Sequence, residues 1–432
     1  MIIEFTVGNF LSFKSKSTLS MLASAITDFP NSTFKTDKHK LLKSVVVYGA
    51  NSSGKSNLIK AMDTMRRIVL YSVEKSSVAE TQVTPFLLNT TTEKAPSHFE
   101  VLFAHNGQHY RYGFEIDKHQ VHEEWLFTSL AKSKKEEMLF ARVGDAIEVT
   151  EKFTEGERLE GKTRTNALFL SVVDQFNGQV AGGIMSWFKD LSPLSGSEHE
   201  RFRLFTFQMF KKQNQDILKF LRDLDLGFHE VNVREEKFSP KHLPQGLKEE
   251  VISEMIESFT DSSIMDITTA HNQYDESGHV VGQKQFELTT QESEGTNKLF
   301  NLAGPIFDTL INGGILVIDE LDARLHPVLT IAIVKLFNSA RYNQKNAQLI
   351  FATHDTTLLR YGQFRRDQIY FIEKDKQEAS DLYSLLEFKE NGQTVRKDRS
   401  YEKDYIQGKY GAIPFIGNFD MFILNGQESE NW

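Results

Sequence analysis

Hydrophobic positions along the chain fall into two recurring patterns: short continuous apolar runs, and runs spaced three and four apart. Residues 44–48 (SVVVY) are almost wholly apolar, which predicts a strand buried on both faces. Residues 2–7 (IIEFTV) predict another. Leu58, Ala61, Met62, Met65, Ile68 and Val69 then recur at helical spacing and predict a helix over 57–70. Residues 98–104 and 109–116 alternate around Asn106-Gly107, a hairpin signal. From about 162 to 225 the pattern is helical, with Ile217, Leu221 and Leu224 on one face. Leu247, Val251, Met255 and Phe259 predict a second helix in register. Strands return at 228–234, and at 264–270 and 283–289 across the polar turn YDESGH. The runs ILVI (315–318) and QLIFAT (348–353) are short apolar strands separated by a helix over 328–340, as a parallel crossover requires. LSPLSGSEHE (191–200) reads as a mobile loop, and no internal repeat or low-complexity segment interrupts the pattern.

The expected organisation is an α/β core split by an insertion: 1–160, a helical insertion over 161–262, and 263–432. At 432 residues the chain is long enough for a sizeable core, which its 34 phenylalanines would help to fill. With no cysteine, disulfides, zinc–thiolate sites, iron–sulfur clusters and thiol nucleophiles are excluded. The net charge of -9 supplies no global basic field toward nucleic acid or acidic membranes, though a local basic patch stays open. MIIEFTVGNFLSF has no signal-peptide pattern, and no apolar run approaches the ~18 residues of a membrane span. The expectation is a cytoplasmic protein with no membrane partner.

Chemistry concentrates after three of the apolar strands. Gly49-Ala50-Asn51-Ser52-Ser53-Gly54-Lys55-Ser56 fits G-x-x-x-x-G-K-[ST] between a strand and the helix opening at Asn57. The glycines let the backbone wrap phosphates at a helix N-terminus. Lys55 would reach the β- and γ-phosphates, and Ser56 would ligate Mg²⁺. Asp319 and Glu320 end the strand ILVI: Asp319 suits the metal shell, Glu320 the attacking water. His354, after the next strand, is placed to sense the γ-phosphate, while Asp355 reads as a cap of the following turn. Ser293-Glu294-Gly295-Thr296-Asn297-Lys298 opens a helical stretch and reads equally as a second anion site or as an ordinary N-cap on Ser293. ATP is expected over GTP, because NKLF (297–300) lacks the Asp of a guanine-reading N-K-x-D. His119 and His122 look like a ligand pair, but flanking strands favour a turn and an exposed strand. The charge-mixed stretch ENGQTVRKDRSYEKDY reads as a solvated face, with nucleic-acid contact as the alternative. No sustained heptads support a long coiled-coil arm in the insertion, which leaves a lid, a partner dock or a truncated stand-in for one.

Together these strings resemble the ATP-binding-cassette-type ATPases of the SMC, RecF and OLD group, and within it the compact bacterial AAA ATPases of the RloA/AbiLi type, which include phage-defence components. The likeness runs through NFLSFK (9–14), the phosphate loop, PFLLN (85–89), YRYGFEI, TNALFLS, ESEGTNKL, VIDELDARLHP, THD, RRDQIYFIEKD (365–375) and KYGAIP (409–414). It implies a P-loop ATPase head with an antiparallel β subdomain and an inserted helical subdomain. Ser293, Gly295 and Thr296 would contact ATP held by a second subunit, Asp322 would touch the partner, and Gln82 would serve as the glutamine near the metal. SEGT in place of a Gly-Gly-Gln string puts transport coupling in doubt. The TOPRIM nuclease of OLD-type proteins has no counterpart after KYGAIP, so a nuclease or toxin effector is expected on a separate polypeptide. The implied function is a regulatory ATPase of an antiphage module that assembles head to tail as a homo-oligomer. A DNA-repair or chromosome-maintenance ATPase is the alternative, and a scaffold that only binds ATP a third.

Overall fold

The computed structural model describes residues 1–76, 78–130, 135–223, 228–237, 263–360, 364–390, 393–396 and 399–413. The helix expected on Leu247, Val251, Met255 and Phe259 lies outside them, as do Leu224, Pro414 and part of the charge-mixed stretch. The chain forms two compact units, Met1–Pro193 with Ile350–Trp432, and Leu194–Leu349.

The first unit holds a seven-stranded antiparallel sheet in the spatial order 146–149, 137–143, 121–130, 108–116, 97–105, 2–8, 17–20. Asn106 and Gly107 both take positive φ (49° and 76°), the geometry of a two-residue hairpin turn, and His105 pairs with Gln108 across it. One face of the sheet carries Phe103, stacked on Trp187 of helix Gln179–Lys189 with centroids 4.1 Å apart. Glu124, fully buried, accepts the backbone N–H groups of Phe169 (2.6 Å) and Leu170 (3.0 Å) and the Tyr112 hydroxyl (2.9 Å). A strand carboxylate thus caps helix Phe169–Gln175, which is how TNALFLS is seated.

The same unit carries the strand Ser44–Gly49, buried at every position as its composition implies. It runs parallel to Ile369–Lys374, which pairs antiparallel with Ser380–Ser384. Helix Lys55–Tyr71 follows and buries Leu58, Ala61, Met62, Met65, Ile68 and Val69; it starts two residues before the expected point, because the turn ends directly at Gly54. Tyr405 and Tyr410 pack on Phe371 (5.4 and 5.6 Å between centroids), and Tyr405 also meets Tyr48 (5.6 Å). Tyr410 of KYGAIP therefore lies against Ile369–Lys374, the strand parallel to the one that leads into the phosphate loop.

In the second unit, helix Arg203–Asp223 packs on helix Glu294–Asn312 through Phe207, Phe210, Ile217 and Leu221 against Phe300 and Ala303. The Thr206 hydroxyl donates to the Asn301 carbonyl (2.7 Å) and accepts from the Gly304 N–H (3.1 Å), so the helices touch through small residues. A three-stranded antiparallel sheet, Glu230–Lys237, Ser263–Tyr274 and Val280–Glu287, packs on the same cluster through Val231 and Ile267. Strand Ile315–Asp319 is buried through Ile318, and helix Pro327–Asn338 begins with a proline at its first turn, capped by His326. The loop expected over 191–200 is instead the strand Leu191–Ser195 and a 3-10 turn over His199–Phe202. Between them the backbone is held at Gly196: its N–H donates to Asp319 O (2.7 Å), and a Cβ there would strike the Asp319 and Glu320 carbonyls. Among the described residues, no helix is long and apolar enough to cross a membrane.

A candidate nucleotide site

The phosphate loop is a strained turn held from beneath. Ser52 has φ 63° and Gly54 φ 120°, and Gly54 leads straight into the helix without a side-chain cap. No acidic residue occupies the first helical turn, so its N–H groups face a region suited to an anion. A Cβ on Gly49 would strike the Ile372 carbonyl and Ser53 hydroxyl, so glycine is required where neighbouring backbone passes close. Lys55 is buried, and its Nζ donates to the carbonyls of Gly49 (2.8 Å) and Ala50 (2.9 Å), folded along the loop it would leave to reach a phosphate. Ser53 is buried too and its hydroxyl has no partner among the described residues. Asn51 and Ser52 are exposed; Ser56 and Asn57 are half-buried.

Two residues that motif reading did not assign support this loop. Ser12, in NFLSFK, accepts from the Asn57 amide (2.8 Å), and its hydroxyl meets that of Ser380 (2.7 Å). Ser380 also bonds the Ser53 carbonyl and donates its N–H to Ser12 O (2.7 Å). NFLSFK carried a signal for Ser12 only as a family string, and nothing around Ser380 marks it.

His354 leaves strand Gln348–Ala352 at the edge where the phosphate loop begins: the preceding Thr353 donates its N–H to Val47 O (3.2 Å), and Tyr48 donates to Asp355 O (3.1 Å). His354 is exposed there. Asp355 accepts from Thr357 N (2.9 Å) and Thr357 Oγ1 (2.6 Å), the capping role read from sequence. The structure does not bring the Gln82 side chain to the loop. Its amide oxygen accepts from Arg67 (2.7 Å), twelve residues along the helix from Lys55, or roughly 18 Å of helix rise. His119 and His122 also stand apart: His122 bonds Asp117 (2.7 Å) at a strand start, and no group of three metal-ligating side chains occurs among the described residues.

In the second unit, Asp319 ends its strand with one buried carboxylate oxygen that has no partner among the described residues. Glu320 takes φ 52°, a left-handed backbone uncommon for a non-glycine residue. The turn that follows is gripped by Lys298, fully buried, whose Nζ donates to the carbonyls of Glu320 (3.1 Å), Leu321 (3.0 Å) and Ala323 (2.7 Å). Loss of hydration pushes the Lys298 ammonium down to about 8, against the opposing pull of Asp322 and Glu320. Ser293 accepts from the Thr296 N–H (3.1 Å) and meets its hydroxyl (2.8 Å); this is the N-cap reading realised, with Ser293, Gly295 and Thr296 together at one helix start. Beside them, burial lowers His199, with the Lys298 charge adding to the effect.

Each unit carries one group of the kind Mg²⁺ uses in proteins, where one hydroxyl or carboxylate assists and phosphates and water complete the shell. The orphaned Asp319 oxygen is the kind of acceptor such an ion uses, and Ser56 is the hydroxyl the loop supplies.

A buried parallel strand pair, a glycine loop closing on a helix N-terminus and a strand ending in two acids make this an α/β protein of the P-loop ATPase kind. Residues 44–360, well over half of the chain, match the family described as "AAA domain, putative AbiEii toxin, Type IV TA system", and the chain belongs to that family. No match is found among the curated proteins.

Proposed function

We propose that the protein binds and hydrolyses ATP, and that hydrolysis governs head-to-tail association of its subunits. The observation that carries this reading is the phosphate loop: a glycine turn at a helix N-terminus free of acidic residues, with a buried lysine folded onto the loop carbonyls. Lys55 releases those carbonyls to hold the β- and γ-phosphates, Glu320 takes a proton from the attacking water, and His354 hydrogen-bonds the γ-phosphate. Ser56 and Asp319 would hold Mg²⁺, which would supply charge neutralisation on the phosphates. Ser293, Gly295 and Thr296 close the partner's nucleotide, with Asp322 at the same interface. A single subunit leaves the γ-phosphate half solvated, so binding energy remains to draw in a second. Gln82, bonded to Arg67, takes no part in this reading.

The biological setting we propose is a defence module in which this ATPase restrains or licenses a toxic effector on another polypeptide. The family's description, "putative AbiEii toxin, Type IV TA system", supports a module with a second component. Two variants test the core. Lys55→Ala is expected to lose ATP binding, and retained affinity in calorimetry overturns the loop assignment. Glu320→Gln is expected to keep ATP and accumulate as a dimer or larger assembly; a monomer by light scattering at saturating ATP overturns the association step. DNA-stimulated turnover that falls steeply with salt would redirect the reading toward a DNA-acting enzyme.

A further inference from the structure

Lys298 is an expensive residue to keep. Its ammonium is buried, and it faces three backbone carbonyls as hydrogen-bond acceptors. An ammonium has three N–H donors, and all three are used. An apolar side chain of similar length would fill the same space but leave three buried carbonyls without a donor, so the lysine is kept for the backbone it holds. What the three bonds do is fix a turn whose backbone is strained at both ends: Glu320 at φ 52° and Arg324 at φ 61°. The Glu320 carbonyl is one of the three acceptors, so the direction in which that residue's carboxylate leaves the backbone is set by Lys298.

The same lysine stands one turn into the helix that opens with Ser293. Two further contacts tie that opening to the turn. A Cβ on Gly295 would lie 3.0 Å from the Arg324 carbonyl, and Arg324 pairs with Glu294 at 3.0 Å. From the opposite side, Gly196 N–H holds the Asp319 carbonyl. Residues 293–298 and 319–324 are therefore tied together through a lysine and two closely packed glycines.

We infer that Lys298 is a positioning residue for hydrolysis: it holds Glu320 in its strained backbone conformation and links that residue to the helix start at Ser293–Thr296. Resting on the ATPase reading above, this extends it by saying how an event at 293–296 reaches the general base. A partner's nucleotide that draws on the helix start moves Glu320 with it, so engagement and turnover are coupled through the Lys298 ammonium.

The test uses the full chain with Lys298→Met and Lys298→Ala, read against wild type and Glu320→Gln. Lys298→Met is expected to melt below wild type, because three carbonyls lose their donor, yet to bind ATP with unchanged affinity while kcat falls at least tenfold with little change in KM. Lys298→Ala leaves room for a small alkylammonium ion, and added ethylammonium or propylammonium is expected to restore part of its kcat. A neutral alcohol of the same size is expected not to. Unchanged kcat in Lys298→Met overturns the inference while leaving the ATPase reading intact. Loss of kcat that tracks loss of ATP affinity or of thermal stability, without amine rescue, reduces Lys298 to a folding role and overturns it as well. If wild type shows no turnover that Glu320→Gln removes, both readings fall together.

Discussion

Adding one methyl group at Gly54 asks how much of the phosphate loop depends on its backbone. In Gly54→Ala the residue keeps φ 120°, a region L-residues avoid, at about 1–3 kcal/mol. The new Cβ also strikes the Ser380 hydroxyl and lies 2.8 Å from that of Ser12. Relief requires breaking the Ser380–Ser12 and Ser380–Ser53 hydrogen bonds, each worth roughly 0.5–1.5 kcal/mol. The sum is roughly 2–6 kcal/mol, spent either as lost stability or as a loop relaxed out of its phosphate-binding shape. Gly107→Ala is the control, because Gly107 also has positive φ (76°) but nothing within 4 Å of its Cβ, leaving a backbone term of about 1–2 kcal/mol. Calorimetric ATP titration and thermal unfolding with and without ATP separate the two routes. At about 1.4 kcal/mol per decade, Gly54→Ala is expected to weaken ATP at least tenfold, to lower the melting temperature, or both. Adding Ser380→Ala should recover part of the loss by making room. A Gly54→Ala protein that binds ATP and melts like wild type, or that is milder than Gly107→Ala, refutes the crowded-loop account.

Glu124→Ala is expected to destabilise the first unit by about 3–5 kcal/mol, since it uncaps Phe169 and Leu170 and leaves the neighbouring Arg142 (4.0 Å) without its buried counter-charge. Urea unfolding measures this, and a change below about 1 kcal/mol would mean that helix Phe169–Gln175 is seated by packing alone. Lys298 gives a pH signature with a definite sign. Below about pH 8 the lysine is protonated in both folded and unfolded chains and contributes no slope. From about 8 to the ordinary lysine range near 10.5 the unfolded chain holds the extra proton, so stability gains up to about 1.4 kcal/mol per pH unit from this group. Lys298→Met should remove that increment from denaturation curves taken across the window, and identical curves for the two proteins would contradict it.

Much of the site is legible in the chain because its geometry is local. A phosphate loop is built by eight consecutive residues, and glycine is needed there for reasons of backbone torsion that neighbours in sequence suffice to state. The Asn106-Gly107 hairpin and the apolar strand before Asp319 are readable on the same ground: turn chemistry and burial are properties of a few adjacent residues. The placing of Gln82 was not legible, because spacing says nothing about where a side chain's partner lies; its amide oxygen accepts from Arg67. The 191–200 segment misled because its polar, glycine-containing composition is that of a loop, while the contact that makes Gly196 necessary comes from Asp319 and Glu320, more than a hundred residues away in the chain.

What the sequence determined by itself was the class of chemistry: residue types in contiguous order fix which backbone conformations and functional groups can meet a phosphate. What only the tertiary structure decided was which distant groups hold that chemistry in place. Ser380 meets Ser12 across 368 positions, Glu124 caps a helix 45 residues on, and Lys298 is enclosed by carbonyls 22 to 25 residues away. Such pairings appear only once the chain has closed its long loops, because a hydrogen bond depends on where two groups lie in space and is indifferent to their separation in sequence.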